Sequence, residues 1–216
     1  MRKNQKIITT ILWSFLVLTM VAVVGRGMWR TDGDPAARGV STKIEAPSSQ
    51  GLPVFYDAPH FALTDQDGKP FDSEQLKGNV WIGAFIFTNC PGVCPMMTQK
   101  MAKLQDTIDA KDVRFVSFSV DPERDTPEVL KKYAQRFKAD ESHWRFLTGD
   151  KSAMLQAAAG LHLTAMPAEG DRPIQHDEHF LLVDRQGRVR GAYASKDDED
   201  MKRLATDAKT LAESKS

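Results

Sequence analysis

The sequence predicts an α/β sandwich built on a central mixed β-sheet, preceded by one N-terminal transmembrane helix. Three observations carry this: an uncharged apolar stretch over residues 7–24, alternating strand-like and helix-like periods from residue 53 onward, and a closing strand–turn–strand–helix order. With 216 residues the chain holds one domain of ordinary size plus an extension. Only two cysteines occur, which excludes a disulfide-dense scaffold and any cluster needing four thiolates from one chain.

Residues 1–6 form a basic tip with Arg2, Lys3 and Lys6. The 18 uncharged residues that follow, 7–24, cover about 27 Å at ~1.5 Å per residue, close to the ~30 Å hydrocarbon core of a bilayer. A cleaved signal peptide is the competing reading. Its apolar region is usually shorter and ends in a small-x-small site; no Ala-x-Ala follows here, although Val23-x-Gly25 and Gly25-x-Gly27 do not forbid cleavage. No cysteine lies near residue 25 to accept a lipid. Basic residues ahead of the span favour an N-in orientation, which puts the remainder on the extracytoplasmic side, periplasmic or equivalent, where disulfides form. Residues 25–52 show no apolar period and are rich in Gly, Pro, Ser and charge, so they read as a flexible linker or a plain spacer.

The charges follow this division. Lys and Arg total 29, as do Asp and Glu, but residues 1–30 hold five bases and no acid, leaving residues 31–216 at −5. A mildly acidic domain without a basic stripe is not built to wrap nucleic acid.

Residues 53–216 read as one domain. Phe61-Ala62-Leu63-Thr64 and the stretch after Gly68 form a hairpin, with Gly68 available for positive φ. Residues 80–87 are a near-continuous apolar run, as expected of a strand buried on both faces. Beyond Pro95, the residues Met97, Met101, Leu104 and Ile108 make a helical stripe, with Pro95 in the first turn, so Met96, Met97 and Met101 are assigned to packing rather than to a methionine-rich metal motif. Residues 113–120 are strand-like, and Thr126-Pro127 starts a helix whose buried face is Leu130, Tyr133, Ala134 and Phe137. A short strand over 144–147, a helix over 152–159 stopped by Gly160, a hairpin around residues 184–187 and a last helix over 198–211 complete the order. That order describes a thioredoxin-like sandwich.

Cys90 and Cys94 fall at the junction of the apolar strand and the first helix. Positions i and i+4 face the same way on a helical turn, so Pro91-Gly92-Val93 can curl to bring the sulfurs together. Cys94 sits at a helix N-terminus, where the dipole favours thiolate. Two convergent sulfurs can close reversibly into a disulfide or clasp a soft metal ion; spacing alone allows a purely structural disulfide equally well.

The residues around the pair say more. Phe87-Thr88-Asn89-Cys90-Pro91-Gly92-Val93-Cys94-Pro95, then Ser119-Val120-Asp121-Pro122 with Asp125-Thr126-Pro127, and a late histidine ahead of Leu182-Val183-Asp184-Arg185-Gln186-Gly187-Arg188, closely resemble the Sco/SenC family. The resemblance spans about residues 61–193. It implies a membrane-tethered, thioredoxin-like copper chaperone that helps assemble the copper centre of cytochrome c oxidase. The implied copper ligands, for Cu(I) and Cu(II), are Cys90, Cys94 and His176, with the two cysteines also a redox pair. The implied partners are the copper-binding subunit of the oxidase or another apo-copper protein, and a copper donor protein. His176 stands eight residues ahead of Asp184, as the family's ligand does, although Asp177 replaces the usual hydroxyl residue; His179 is the less favoured ligand because it leads straight into a strand. Asp121 is a candidate outer acid or a loop cap. His60, His143 and His162 read as ordinary surface or packing residues.

A thiol:disulfide oxidoreductase that reduces the cysteines of an exported partner, without carrying metal, is the alternative. A peroxidase of the Thr-x-x-Cys kind fits less well, because the hydroxyl position is Phe87.

Overall fold

A computed structural model describes residues 51–108, 113–166 and 174–214. The predicted tip, the span over 7–24 and nearly all of the linker lie outside the described residues. Among the described residues no helix is long and apolar enough to cross a membrane.

The elements are β1 (Tyr56–Asp57), β2 (Ala62–Asp65), β3 (Pro70–Asp72), β4 (Val80–Ile86), α1 (Val93–Thr107), β5 (Val113–Ser119), α2 (Pro127–Arg136) and β6 (Trp144–Thr148). They continue with α3 (Lys151–Gly160), β7 (Ala165–Met166), β8 (Gln175–His176), β9 (His179–Val183), β10 (Arg188–Ala194) and α4 (Asp198–Glu213). The main sheet has the order β1-β10-β9-β4-β5-β6-β2-β3, and β7 with β8 makes a separate two-stranded ribbon. β4, β5 and β6 run parallel, while β9 lies antiparallel on the other side of β4. This is a thioredoxin-like α/β fold with a mixed sheet.

Apolar burial on both faces explains why β4 shows no alternation. Val80, Ile82, Ala84 and Ile86 join a core with Met97 and Met101 of α1, Leu130 of α2 and Leu204 of α4. Trp81 and Phe85 point the other way, into a core with Phe61, Phe118, Met154 and Leu181. Gly83 has to be small, since a Cβ there would stand 2.8 Å from the Trp81 ring. Gly68 takes φ +75° in the β2–β3 turn, as the hairpin reading requires.

Two local expectations change, and a third holds with a different bond. Gly160 does not stop α3; it is the last helical residue, and a Cβ on it would lie 2.6 Å from Pro59. The left-handed residue beyond that helix is His162, at φ +54°, with its ring stacked 4.1 Å from Tyr56. Met97 and Met101 are core residues, whereas Met96 is only half-buried because it falls off the stripe. Thr126 is the N-cap of α2, with Pro127 at the start, but its hydroxyl binds Glu128 instead of a backbone amide.

The parallel pairing of β4 with β5 sets up the site. Ile86 is in register with Ser119, and Val120 N–H donates to Ile86 C=O at 2.9 Å, so the loops leaving the two strands run side by side. Open α/β sheets place ligands at these carboxyl ends.

Candidate functional site

Cys90 and Cys94 flank the start of α1. Gly92 is the N-cap and has no side chain to satisfy the exposed helix amides; the Cys94 N–H instead donates to Cys90 Sγ at 3.4 Å. The Cys90 sulfur therefore takes the place of a capping oxygen, which holds it over the helix end. Both cysteines are free thiols, Cys90 half-buried and Cys94 0 % exposed.

The third predicted residue arrives from far along the chain. The β7–β8 ribbon pairs Ala165 with His176, and Asp177 N–H donates to Thr164 C=O at 2.8 Å. This ribbon, absent from the sequence reading because its strands are two residues each, carries His176 Nε2 to 3.0 Å from Cys94 Sγ. His176 Nδ1 lies 2.8 Å from the Asp177 carbonyl, which only accepts, so that nitrogen bears the proton. The Nε2 lone pair then faces Cys94 and accepts from its S–H. The Phe87 ring meets the imidazole edge-on at 5.7 Å and fixes its tilt.

Burial pushes the Cys94 thiol far up; the Phe87 backbone amide works against this, and Cys90 and Asp125 add to it. The thiolate bias expected from the helix dipole is thus reversed, because desolvation of a charge in a closed core outweighs a dipole effect of about 1 kcal/mol. Behind the sulfur, Thr98 Oγ1 donates to Cys94 C=O at 2.9 Å and meets the Tyr133 hydroxyl at 3.0 Å.

The other predicted residues go elsewhere. His179 begins β9 and is bound through Nδ1 to the Asp177 carboxylate. Asp121 pairs with Arg124 at 2.9 Å and its carbonyl accepts from Arg124 and Asp125, which is the loop-capping alternative. His60 binds Asp72, His143 meets Arg114 and Asp140, and His162 packs on Tyr56. The acid that reaches the cysteine loop is Asp125, to which the sequence alone assigned no role in the site.

An open cleft of about 500 Å³ lies in front, lined by Phe87, Cys90, Val93, Ile174 and His176 with Asp177 and Glu178 at its rim. Cys90 and His176 are therefore reachable from outside while Cys94 is not. As they stand, no group of three or more Cys, His, Asp or Glu side chains among the described residues is spaced for a metal ion. A thiolate and an imidazole on one tetrahedral ion stand roughly 3.5 Å apart, given bonds of about 2.3 and 2.0 Å. The 3.0 Å thiol–imidazole hydrogen bond is a little tighter than that, so a short opening of the ribbon would separate the two donors enough.

Fold and site together define a class: thioredoxin-like dithiol proteins to which a distant hairpin adds an imidazole. The chain belongs to the SCO1/SenC family, whose family model matches residues 55–213. The SCO1 protein homolog of Bacillus subtilis is 37% identical over 164 residues, covering 74% of this chain and 85% of that protein. The solved structure of BsSco, described as a Sco-family cytochrome c oxidase assembly protein with a disulfide switch, is 36% identical at a TM-score of 0.67, covering 76% of this chain and 98% of that one. Bradyrhizobium japonicum ScoI, solved with copper bound, is 31% identical at a TM-score of 0.62, covering 72% of this chain and 99% of that one.

Proposed function

We propose that this protein is a membrane-anchored copper chaperone that holds copper on Cys90, Cys94 and His176 and passes it to the copper centre of cytochrome c oxidase during assembly. The observation that carries the reading is the approach of His176 Nε2 to within 3.0 Å of Cys94 Sγ, across 82 positions of chain, beside the Cys90 sulfur. A structural disulfide has no use for an imidazole, whereas two soft sulfurs and one nitrogen suit copper in both oxidation states. The copper-bound relative and the oxidase-assembly relative point the same way. Copper is cargo here. Taking it up would release the thiol protons of Cys90 and Cys94 to solvent, and it would leave again through the open cleft.

In this reading residues 7–24 anchor the chain with residues 1–6 inside, residues 25–52 tether it, and residues 53–216 work on the extracytoplasmic side. Support comes from the uncharged length and its basic flank. The oxidase copper subunit, or another apo-copper protein, is the recipient, and a separate copper protein is the donor.

Thiol:disulfide exchange is the second reading, favoured by the asymmetry of the sulfurs. Cys90, open to the cleft, would attack a partner's disulfide to give a mixed disulfide and one released thiol; Cys94, giving its proton to His176 Nε2, would then attack Cys90 and release the second thiol. Copper analysis of the full-length protein separates the two. Reduced protein should bind one copper per chain with a thiolate-to-Cu(II) charge-transfer band, and the disulfide form should bind none. His176→Ala should lose Cu(II), while thiol exchange should persist but slow at the step where Cys94 gives up its proton. Absence of stoichiometric copper in the reduced wild type would overturn the chaperone reading and leave the oxidoreductase.

A further inference from the structure

Asp125 is 0 % exposed. Oδ1 receives the Thr88 hydroxyl at 2.5 Å, Oδ2 receives the Thr88 N–H at 3.1 Å, and Oδ2 also receives the Ser119 hydroxyl at 2.6 Å. Among the described residues no cation pairs with it. Burying a carboxylate without a cation is expensive, and three donors converging on it are what make the position tolerable. An amide there would offer one acceptor oxygen in place of two, so a hydroxyl would have to turn round and accept from its NH2 group.

Its partners show what the arrangement holds. Ser119 ends β5 and Asp125 immediately precedes the cap of α2, whereas Thr88 lies two residues before Cys90 in the loop that carries the outer sulfur. Within the same turn Cys90 N–H reaches Phe87 C=O at 3.3 Å, and beyond it Cys90 Sγ accepts from Cys94 N–H. Cys94 is fixed by the helix and the core. Whether the two sulfurs meet is therefore decided by how well the Thr88 end of the loop is held.

We infer that Asp125 is a positioning residue of the dithiol site: by pinning Thr88 to the end of β5, it holds Cys90 over Cys94 and sets how readily the two sulfurs join. The inference rests on the reading that the cysteines work as a pair. The relevant exchange is complete in itself: the two thiols and one oxidised glutathione give the Cys90–Cys94 disulfide and two reduced glutathiones. One S–S bond forms, one breaks, and both protons end on glutathione. Freeing the loop lowers the effective concentration of one sulfur at the other and so weakens the intramolecular disulfide.

The test is equilibration of the full-length protein with glutathione buffers, with the disulfide fraction read by thiol alkylation and mass. Thr88→Val, which keeps shape and backbone amide, should lower the equilibrium constant for disulfide formation about fivefold, the scale of one buried hydrogen bond. Asp125→Asn should lower it as well, because it replaces charge-assisted bonds by neutral ones. In a Thr88→Val background Asp125→Asn should have a smaller effect than in the wild type, because the hydroxyl half of the link is already cut and only the Thr88 N–H bond remains. Variants that melt earlier but equilibrate with glutathione like the wild type would overturn the inference and leave Asp125 a structural residue. Should Asp125→Asn fail to fold, Thr88→Val alone decides. A wild type that forms no intramolecular disulfide at all would instead defeat the paired-cysteine reading.

Discussion

Two cysteines four positions apart are unlike each other once folded. Cys90 caps a helix at the edge of a cleft, and Cys94 is enclosed by core with its proton directed at His176. Alkylation of the reduced protein with iodoacetamide at neutral pH should therefore label Cys90 at least about tenfold faster than Cys94, since only an exposed and ionisable sulfur reacts. Peptide mass mapping over a time course checks this, and equal rates would mean that the α1 start opens in solution. The cysteine pair was legible from its spacing and neighbours, and His176 only through the resemblance to the Sco/SenC family. Asp125 was harder to recognise. Its side chain meets Thr88 across 37 positions only because β4 and β5 lie parallel and in register, and a linear reading sees an acid before Thr126-Pro127.

At the scale of elements, long periodic segments were readable and short ones were not. The stripe of α1 and the apolar run of β4 each repeat enough to signal their type. The β7–β8 ribbon has two residues per strand and no period, yet it delivers the imidazole. Gly160 shows the same limit in another form. Its position at a helix end suggested a stop, whereas its role is contact between α3 and Pro59. Gly160→Ala should gain helix propensity and still lose about 1–2 kcal/mol in chemical denaturation, because the added methyl meets the proline ring. A variant as stable as the wild type would show that Pro59 moves aside freely.

Across the described unit, the site and the entry of the chain lie at opposite ends of the sheet. Arg190 Nε donates to Pro53 C=O at 2.8 Å, its Nη2 to Leu52 C=O, and its Nη1 to Asp184 Oδ2 at 2.7 Å. Val189, beside Arg190, pairs with Val183, which pairs with Trp81 at the start of β4. The cysteines follow the other end of that strand, about 20 Å away at ~3.3 Å per residue. Burial alone would raise the Asp184 carboxyl, but the backbone and guanidinium of Arg188 and the guanidinium of Arg190 bring it below the usual carboxylate range. A carboxyl depressed by folding adds stability above its unfolded pKa of about 4 and loses it as pH falls through the folded value. Asp184→Asn should thus cost roughly 2–4 kcal/mol near pH 7, and the gap to the wild type should narrow below pH 4. Urea denaturation at pH 7 and pH 3 measures both; a gap that stays constant with pH would remove the charge from the explanation.

Leaving aside the histidine, which only the family resemblance singled out, the sequence by itself determined the buried strand, the helix that follows it and the paired sulfurs at their junction. These are local periods and local spacings, and they need no knowledge of what packs against what. Only the tertiary structure decided that the ribbon brings His176 onto Cys94, that Asp125 rather than Asp121 reaches the cysteine loop, and that Cys94 is held as a thiol. Each of these depends on strand pairing or on burial, and both arise from residues far apart in the chain.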